Sequence, residues 1–334
     1  MSFSDAHIGR RGDRPLLISI VGPTASGKTG LSVKLAAALD AEIISADSRQ
    51  FYREIPIGTA APTAKERAQA PHHFVGFLGL DTAYSSGRFA AEVVDWLESH
   101  FAQRLQAGHP PLAIMVGGSG LYTQAVQEGF DNVPADAEVR AALNAVHQRE
   151  GLAPLLAELE RRDPVHHDAV DRSNPHRVIR ALEVCRITGG TYSALRSKQQ
   201  GRSVLHPGGW TRTNERPWDT LTIGLGAPRP FLHDRINRRT LHMMEAGWLE
   251  EAERVMPMRG APALRTVGYP QLFDVLEGKM VRDTAITRIQ EATRQFARRQ
   301  LTWFHRQPGV HWVDARHPDR GVDLALEFME HGRI

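Results

Sequence analysis

Gly22-Pro23-Thr24-Ala25-Ser26-Gly27-Lys28-Thr29 sets two glycines, a lysine and a threonine at the spacing of a phosphate-binding loop. Glycines let backbone N–H groups turn inward around an anion, and the start of a following helix adds partial positive charge. Lys28 adds a full charge, and the Thr29 hydroxyl is suited to hold Mg2+. Such a cradle says that a phosphate chain binds, but not whether a P–O or a C–O bond is broken. Nucleotide hydrolases add a strand ending in an aspartate that helps hold magnesium. Here the apolar run Leu112–Val116 ends instead in Gly117-Gly118-Ser119-Gly120, which weakens an ATPase reading.

A second chemical group follows the next strand-like run, where Ala46-Asp47-Ser48-Arg49-Gln50 places Asp47 at a carboxyl end. Ligands of open α/β sheets gather at that edge. A carboxylate there can be a general base, a water-mediated magnesium ligand or a helix N-cap. Ser119, after two glycines, can face the same site or cap the helix that follows. In His233-Asp234-Arg235-Ile236-Asn237-Arg238-Arg239 helical spacing puts Arg235 and Arg239 on one face, where they can meet a polyanion together. Residues 282–306 hold six arginines against Asp283 and Glu291, a local excess of +4 that suits phosphate contacts along an RNA backbone or a solvated helix face. The pairs His72-His73 and His166-His167 are adjacent, and neighbouring side chains on a strand point to opposite faces, so neither chelates a metal alone. Trp303, Phe304 and Trp312 read as core.

These groups need a scaffold. Short apolar runs at 16–21, 42–46, 112–116 and 221–225 alternate with amphipathic stretches at 28–39 and 87–106, which predicts an α/β fold with a P-loop-type parallel sheet flanked by helices. From about 130 the pattern is helical only, over 137–150, 152–162 and 175–188. The glycines and prolines of 201–217 read as a loop returning to the sheet. The stretches 233–254, 271–276 and 282–306 are helical again. The expected organisation is a flexible arm over 1–14, a catalytic core over 15–129 and 208–334, and an all-helical insertion over 130–207.

With 334 residues, 41% hydrophobic and 24% charged, the chain has enough apolar material for one large core or two smaller ones. A net charge of +3 is too mild to indicate nucleic-acid binding by itself. The single cysteine, Cys185, excludes a disulfide framework and a Cys-rich zinc site, and reads as a buried apolar residue. No apolar stretch approaches the ~20 residues of a membrane span, so no membrane partner and a cytoplasmic location are expected.

The ordered motifs are more specific than the phosphate loop alone. After Gly22–Thr29 come Ala46-Asp47-Ser48-Arg49-Gln50-Phe51-Tyr52, Pro71-His72-His73, Gly117-Gly118-Ser119-Gly120-Leu121-Tyr122 and Arg177-Val178-Ile179-Arg180-Ala181-Leu182-Glu183-Val184. Val267-Gly268-Tyr269 and the run 292–303, Ala292-Thr293-Arg294-Gln295-Phe296-Ala297-Arg298-Arg299-Gln300-Leu301-Thr302-Trp303, complete the series. In this order the chain resembles the tRNA dimethylallyltransferases (tRNA isopentenyltransferases) over roughly 16–304.

The resemblance implies a dimethylallyl diphosphate donor gripped by Gly22, Pro23, Thr24, Ala25, Ser26, Gly27, Lys28 and Thr29, with Mg2+ at Thr29. It implies the adenosine just 3′ of the anticodon of transfer RNA as acceptor. Asp47 is then the candidate base for the adenine amine, Ser119 lies beside that amine or Asp47, and Arg235 contacts the diphosphate. It further implies RNA contact by Asp47, Ser48, Arg49, Gln50 and Ser119, by His176, Arg177, Val178, Ile179 and Arg180, and by Arg265, Thr266, Val267, Gly268, Tyr269 and Pro270. Ala292, Thr293, Arg294, Gln295, Phe296, Ala297, Arg298 and Arg299 complete that set. Pro270 departs from the pattern, since a basic residue commonly follows Val-Gly-Tyr. The helical insertion is expected to reach along the anticodon stem-loop, and the enzyme to be a monomer. Three rival readings are a small-molecule kinase, a nucleotide-switched RNA-binding protein, and an isopentenyltransferase of free adenine nucleotides. The arginine-rich helix disfavours the first and third, and the carboxylate opposite the cradle the second.

Overall fold

The computed structural model describes residues 14–129, 134–197, 203–205, 211–213 and 216–331. Of the expected N-terminal arm only Arg14 lies within them.

Among the described residues eight strands form one sheet: β1 (Leu16–Val21), β2 (Ile43–Ser45), β3 (His72–His73), β4 (Leu112–Val116), β5 (Ser203–Leu205), β6 (Thr211–Thr213), β7 (Asp219–Gly226) and β8 (Val310–Asp314). Their order is β3-β2-β4-β1-β7-β6-β5, and β8 also pairs with β7. Ladders among β1, β2, β3, β4, β7 and β8 are parallel, whereas β5–β6 and β6–β7 are antiparallel. One edge of β7 is thus shared: Thr220 and Asp219 meet β6, and Thr222 to Gly226 meet β8.

Helices cover both faces. Before the insertion come α1 (Lys28–Leu39), α2 (Ala64–Arg67), α3 (Ser86–Gln106) and α4 (Gly120–Glu128). The insertion carries α5 (Ala137–Glu150), α6 (Ala153–Arg162), α7 (Pro164–Ala169), α8 (Pro175–Thr188) and α9 (Tyr192–Ser197). After it come α10 (Arg229–Glu245), α11 (Trp248–Val255), α12 (Tyr269–Leu276), α13 (Arg282–Phe304) and α14 (Arg320–His331). The central strand β1 shows why the sheet needs two layers. Leu16, Ile18 and Ile20 join a core with Leu31 and Leu35 of α1 and Phe328 of α14, while Leu17 joins another with Val93 and Leu97 of α3 and Leu272 of α12. A strand buried on both faces reads as a continuous apolar run, which is what residues 16–21 are. The expected α/β fold with a P-loop-type parallel sheet is therefore present.

The described residues fall into two compact units, one within 130–202 and one formed by the rest. The helical unit packs Leu143, Leu155, Leu159, Val178 and Leu182 into its own core. Buried Glu183 in that unit accepts the Asp136 N–H and ion-pairs with Arg140 at 2.7 Å and Arg180 at 2.8 Å. Lone Cys185 is buried.

Two expectations need correction. The glycines and prolines of 201–217 suggest a loop, with the insertion running to 207, but Ser203–Leu205 and Thr211–Thr213 are strands of the sheet. Their three-residue lengths are too short to produce an alternating signal among glycines and prolines. The second correction concerns the aromatics. Phe304 is buried, but Trp303 is half-buried and Trp312 is 36% exposed against His305.

Candidate active site

The phosphate loop leaves β1 through Gly22, whose φ of 141° and closeness to β7 both require glycine, since a Cβ would lie 2.5 Å from the Leu225 carbonyl oxygen. Ala25, at φ 63°, is a non-glycine residue held in left-handed backbone, a strain characteristic of functional loops. Thr24, Ala25, Ser26, Gly27, Lys28 and Thr29 line a cavity of about 1580 Å³, while Gly22 and Pro23 are buried and do not. Lys28 Nζ donates to the Pro23 carbonyl at 2.7 Å, and burial pulls its pKa down to about 8, against the opposing effect of Asp47.

Three further cationic or acidic groups face this loop. Arg235 of α10 brings its guanidinium to the loop at Gly27, where a Cβ would meet its Nη2 at 3.6 Å. Arg239, one turn on, also lines the cavity; burial lowers its pKa while Asp47 raises it. Arg238 between them also lines the cavity, but is exposed and paired with Asp234.

Asp47 lines the cavity from the turn after β2. Its Oδ1 accepts the Arg49 N–H at 3.1 Å, which pins the carboxylate, and no helix follows for it to cap. Ser119 begins α4 but makes no side-chain cap bond. Instead its Oγ accepts the Ser48 N–H at 3.1 Å and donates to Ser48 Oγ at 3.2 Å. The hydroxyl is therefore fastened to the residue next to Asp47.

The cavity also gathers Ser48, Arg49, Gln50, Arg265, Thr266, Val267, Thr293, Phe296 and Arg299. Gln50 acts mainly within the protein: Nε2 donates to the Thr59 and Ala60 carbonyls and Oε1 accepts from Ser45. Tyr269, Val178, Ile179 and Ala297 are at most 4% exposed, so their side chains offer no surface to RNA. Within their motifs these four side chains serve packing. In α8, His176 and Arg177 are exposed, whereas Arg180 bonds Glu183 and the Pro134 carbonyl. Arg294 donates to Asn237 Oδ1 at 2.9 Å and ties α13 to α10, while Gln295, Phe296, Arg298 and Arg299 are exposed. Pro270 sits in the first turn of α12, where a missing N–H costs no hydrogen bond.

Sequence reasoning passes over Gln300 and Trp303 as site residues. Both line the cavity. Trp303 lies so close to Gly120 that a Cβ there would be 2.2 Å from the indole. Neither has a local signal, because each acts on residues far away in the chain. Among the described residues no group of three or more His, Cys, Asp or Glu gathers that could hold a metal.

Comparison with known proteins agrees with this arrangement. The family model described as IPP transferase matches residues 50–307. The chain is 42% identical to tRNA dimethylallyltransferase 2 of Parabacteroides distasonis, over 91% of this chain and 94% of that one. It is also 42% identical to the tRNA dimethylallyltransferase of Christiangramia forsetii, over 89% and 93%. The full-length tRNA isopentenylpyrophosphate transferase of Bacillus halodurans superposes with a TM-score of 0.65 at 32% identity, covering 95% of this chain and 97% of that one. An anion cradle, a pinned carboxylate and a cationic helix face around one cavity, together with these matches, place the chain in the IPP transferase family.

Proposed function

We propose that the protein transfers a dimethylallyl group from dimethylallyl diphosphate to the N6 amine of the adenosine 3′ of the anticodon in transfer RNA, releasing diphosphate. One observation carries this reading: Asp47 and Ser119 line the same cavity as Lys28, Arg235 and Arg239. A kinase needs the cradle, but the relatives that this chain matches along nearly their full length are tRNA-modifying prenyltransferases.

The reaction breaks the allylic C1–O bond and forms a C1–N6 bond. Positive charge grows on the allyl carbon and negative charge on the departing diphosphate. Lys28, Arg235, Arg239 and the loop N–H groups stabilise that leaving group in a partly desolvated site, where fixed charges act most strongly. The adenine amine is a poor nucleophile because its lone pair is delocalised into the ring. Asp47 accepts its proton as the new bond forms, and Ser119, fastened to Ser48, steadies the same side of the cavity.

The residues fit a Mg2+ ion held partly by substrate. Thr29 is half-buried on the cavity wall, and a magnesium site of this kind takes one or two protein ligands plus phosphate oxygens. When bound, the ion neutralises charge on the diphosphate. The protein acts as a monomer on the anticodon stem-loop, with exposed Arg298 and Arg299 contacting backbone phosphates. A cytoplasmic location belongs to this reading because transfer RNA is the substrate. Among the described residues no helix is long and apolar enough to cross a membrane.

The test incubates the purified protein with magnesium, unmodified transfer RNA and either labelled dimethylallyl diphosphate or γ-labelled ATP, followed by nucleoside mass analysis. Prenyl label on adenosine is expected. ATP turnover without prenyl transfer would replace this reading with a kinase.

A further inference from the structure

Gln300 projects from α13 into the space between two loops that come from opposite ends of the chemistry. Its side chain is only 6% exposed. Oε1 accepts the Thr24 N–H of the phosphate loop at 2.8 Å, and Nε2 donates to the Gly118 carbonyl at 2.9 Å. A backbone N–H can only donate and a carbonyl can only accept, so the two partners fix which way the amide faces. The fit is close, because a Cβ on Gly118 would fall 2.2 Å from Nε2.

The bond to Thr24 occupies an N–H of the anion cradle. That group therefore serves the shape of the loop rather than the ligand. Gly118 directly precedes Ser119, which is bonded to Ser48, the neighbour of Asp47. A continuous path of hydrogen bonds and short backbone steps thus runs from the diphosphate cradle through Gln300 to the carboxylate. A substitution at carbon needs nucleophile, carbon and leaving group in line, and a displacement of about 1 Å costs on the order of 100-fold in rate.

We infer that Gln300 is a positioning residue that sets the register between the diphosphate cradle and the acceptor side of the cavity. This rests on the prenyl-transfer reading above. It predicts a defect in turnover rather than in the binding of either substrate, because each half of the site stays intact while their alignment is lost.

The experiment is steady-state prenyl transfer to unmodified transfer RNA by the wild-type chain, Gln300→Met and Gln300→Glu, with thermal melts to establish folding. For Gln300→Met, kcat is expected to fall roughly 10- to 100-fold, with KM for donor and RNA each within about threefold of wild type. Gln300→Glu keeps an acceptor for Thr24 but, when ionised, loses the donor for Gly118. Burial raises a carboxyl pKa, so the ratio of its kcat to that of wild type should climb as the pH falls from about 8 to about 6. That recovery is a signature that a packing role would not give, and it is read within one variant even if Gln300→Met fails to fold. An unaltered kcat in Gln300→Met, a loss confined to the KM for RNA, or a flat pH ratio in Gln300→Glu would each overturn the bridge. Absence of transfer by the wild-type chain would instead sink the transferase reading and this inference with it.

Discussion

The Tyr269 hydroxyl donates to Glu251 Oε1 at 2.6 Å, and the same carboxylate accepts the N–H groups of Ile57 and Gly58, each at 2.8 Å. Both side chains are fully buried. Tyrosine of the Val-Gly-Tyr motif therefore braces the loop around residues 56–61, which forms one wall of the cavity. Burial, followed by the Glu251 carboxylate, pushes the Tyr269 hydroxyl above its ordinary pKa, so it stays a donor through the physiological range.

Removing that carboxylate should be costly. Glu251→Ala leaves one buried and two part-buried donors without their acceptor, each worth up to about 1–3 kcal/mol when orphaned, and a drop of several kcal/mol is expected in denaturant unfolding. Tyr269→Phe leaves two of the three bonds in place and should lose only about 1–2 kcal/mol. Equal losses in the two variants would contradict the shared-acceptor geometry.

Asp47→Asn should lower prenyl-transfer kcat by about 10²- to 10⁴-fold while RNA affinity is largely kept, because the proposed base is removed and the surface is not. Filter binding alongside single-turnover assays separates the two. A collapse of RNA affinity with normal single-turnover rates would move Asp47 from proton transfer to recognition.

Arg238 and Arg239 are adjacent and should behave differently. Arg239→Ala is expected to raise the donor KM by roughly tenfold or more, the order of magnitude of one charge-assisted hydrogen bond. Arg238→Ala, whose guanidinium is exposed at the cavity and already paired with Asp234, should change it less than about twofold. Comparable effects of the two would discard the diphosphate contact proposed for Arg239.

Lys28 gives a pH dependence. Its ammonium loses its proton near pH 8 in the free enzyme because burial disfavours the charge. A diphosphate favours the protonated form, so donor affinity should weaken as pH rises above about 8, by up to roughly tenfold per pH unit. Donor binding that stays constant from about pH 7 to about pH 9.5 would show that Lys28 does not titrate there.

On α13, Arg298→Ala with Arg299→Ala should weaken RNA affinity and flatten its salt dependence. The slope should fall by about 0.9 for each phosphate that is no longer neutralised on a duplex, or by about 0.7 on a single strand. Arg294→Ala should do less to the slope, since that guanidinium already bonds Asn237. A salt slope identical to wild type in the double variant would remove these arginines from the interface.

Much of this site is legible in the sequence. Gly22 to Thr29 is local: strand, loop and helix are contiguous, and the chemistry follows from spacing. Asp47 is identifiable for the same reason, since it follows the carboxyl end of a strand of the same parallel sheet, although β4 lies between that strand and the first. The helical insertion can be read because residues 137–188 carry no strand signal. What escapes are effects of long-range packing. Tyr269 and Ile179 lie in motifs that look like contact surfaces, yet tertiary structure buries them. Gln300 is one polar residue among several on an arginine-rich helix, and only the approach of Thr24 and Gly118 distinguishes it. Strand β8 is hidden in the sequence because Val310–Asp314 mixes polar and charged residues among its apolar ones and pairs with only one strand, β7.

The bond between Thr24 and Gln300 joins residues 276 positions apart. Contacts of such separation form late, because loop closure must precede them. During synthesis the anion cradle leaves the ribosome 276 residues ahead of the side chain that ties it to the acceptor loop. A nascent chain with its first sheet strands in place therefore has both loops but not the bridge that aligns them. Alignment of the two halves of the site arrives together with the helix that bears the exposed arginines.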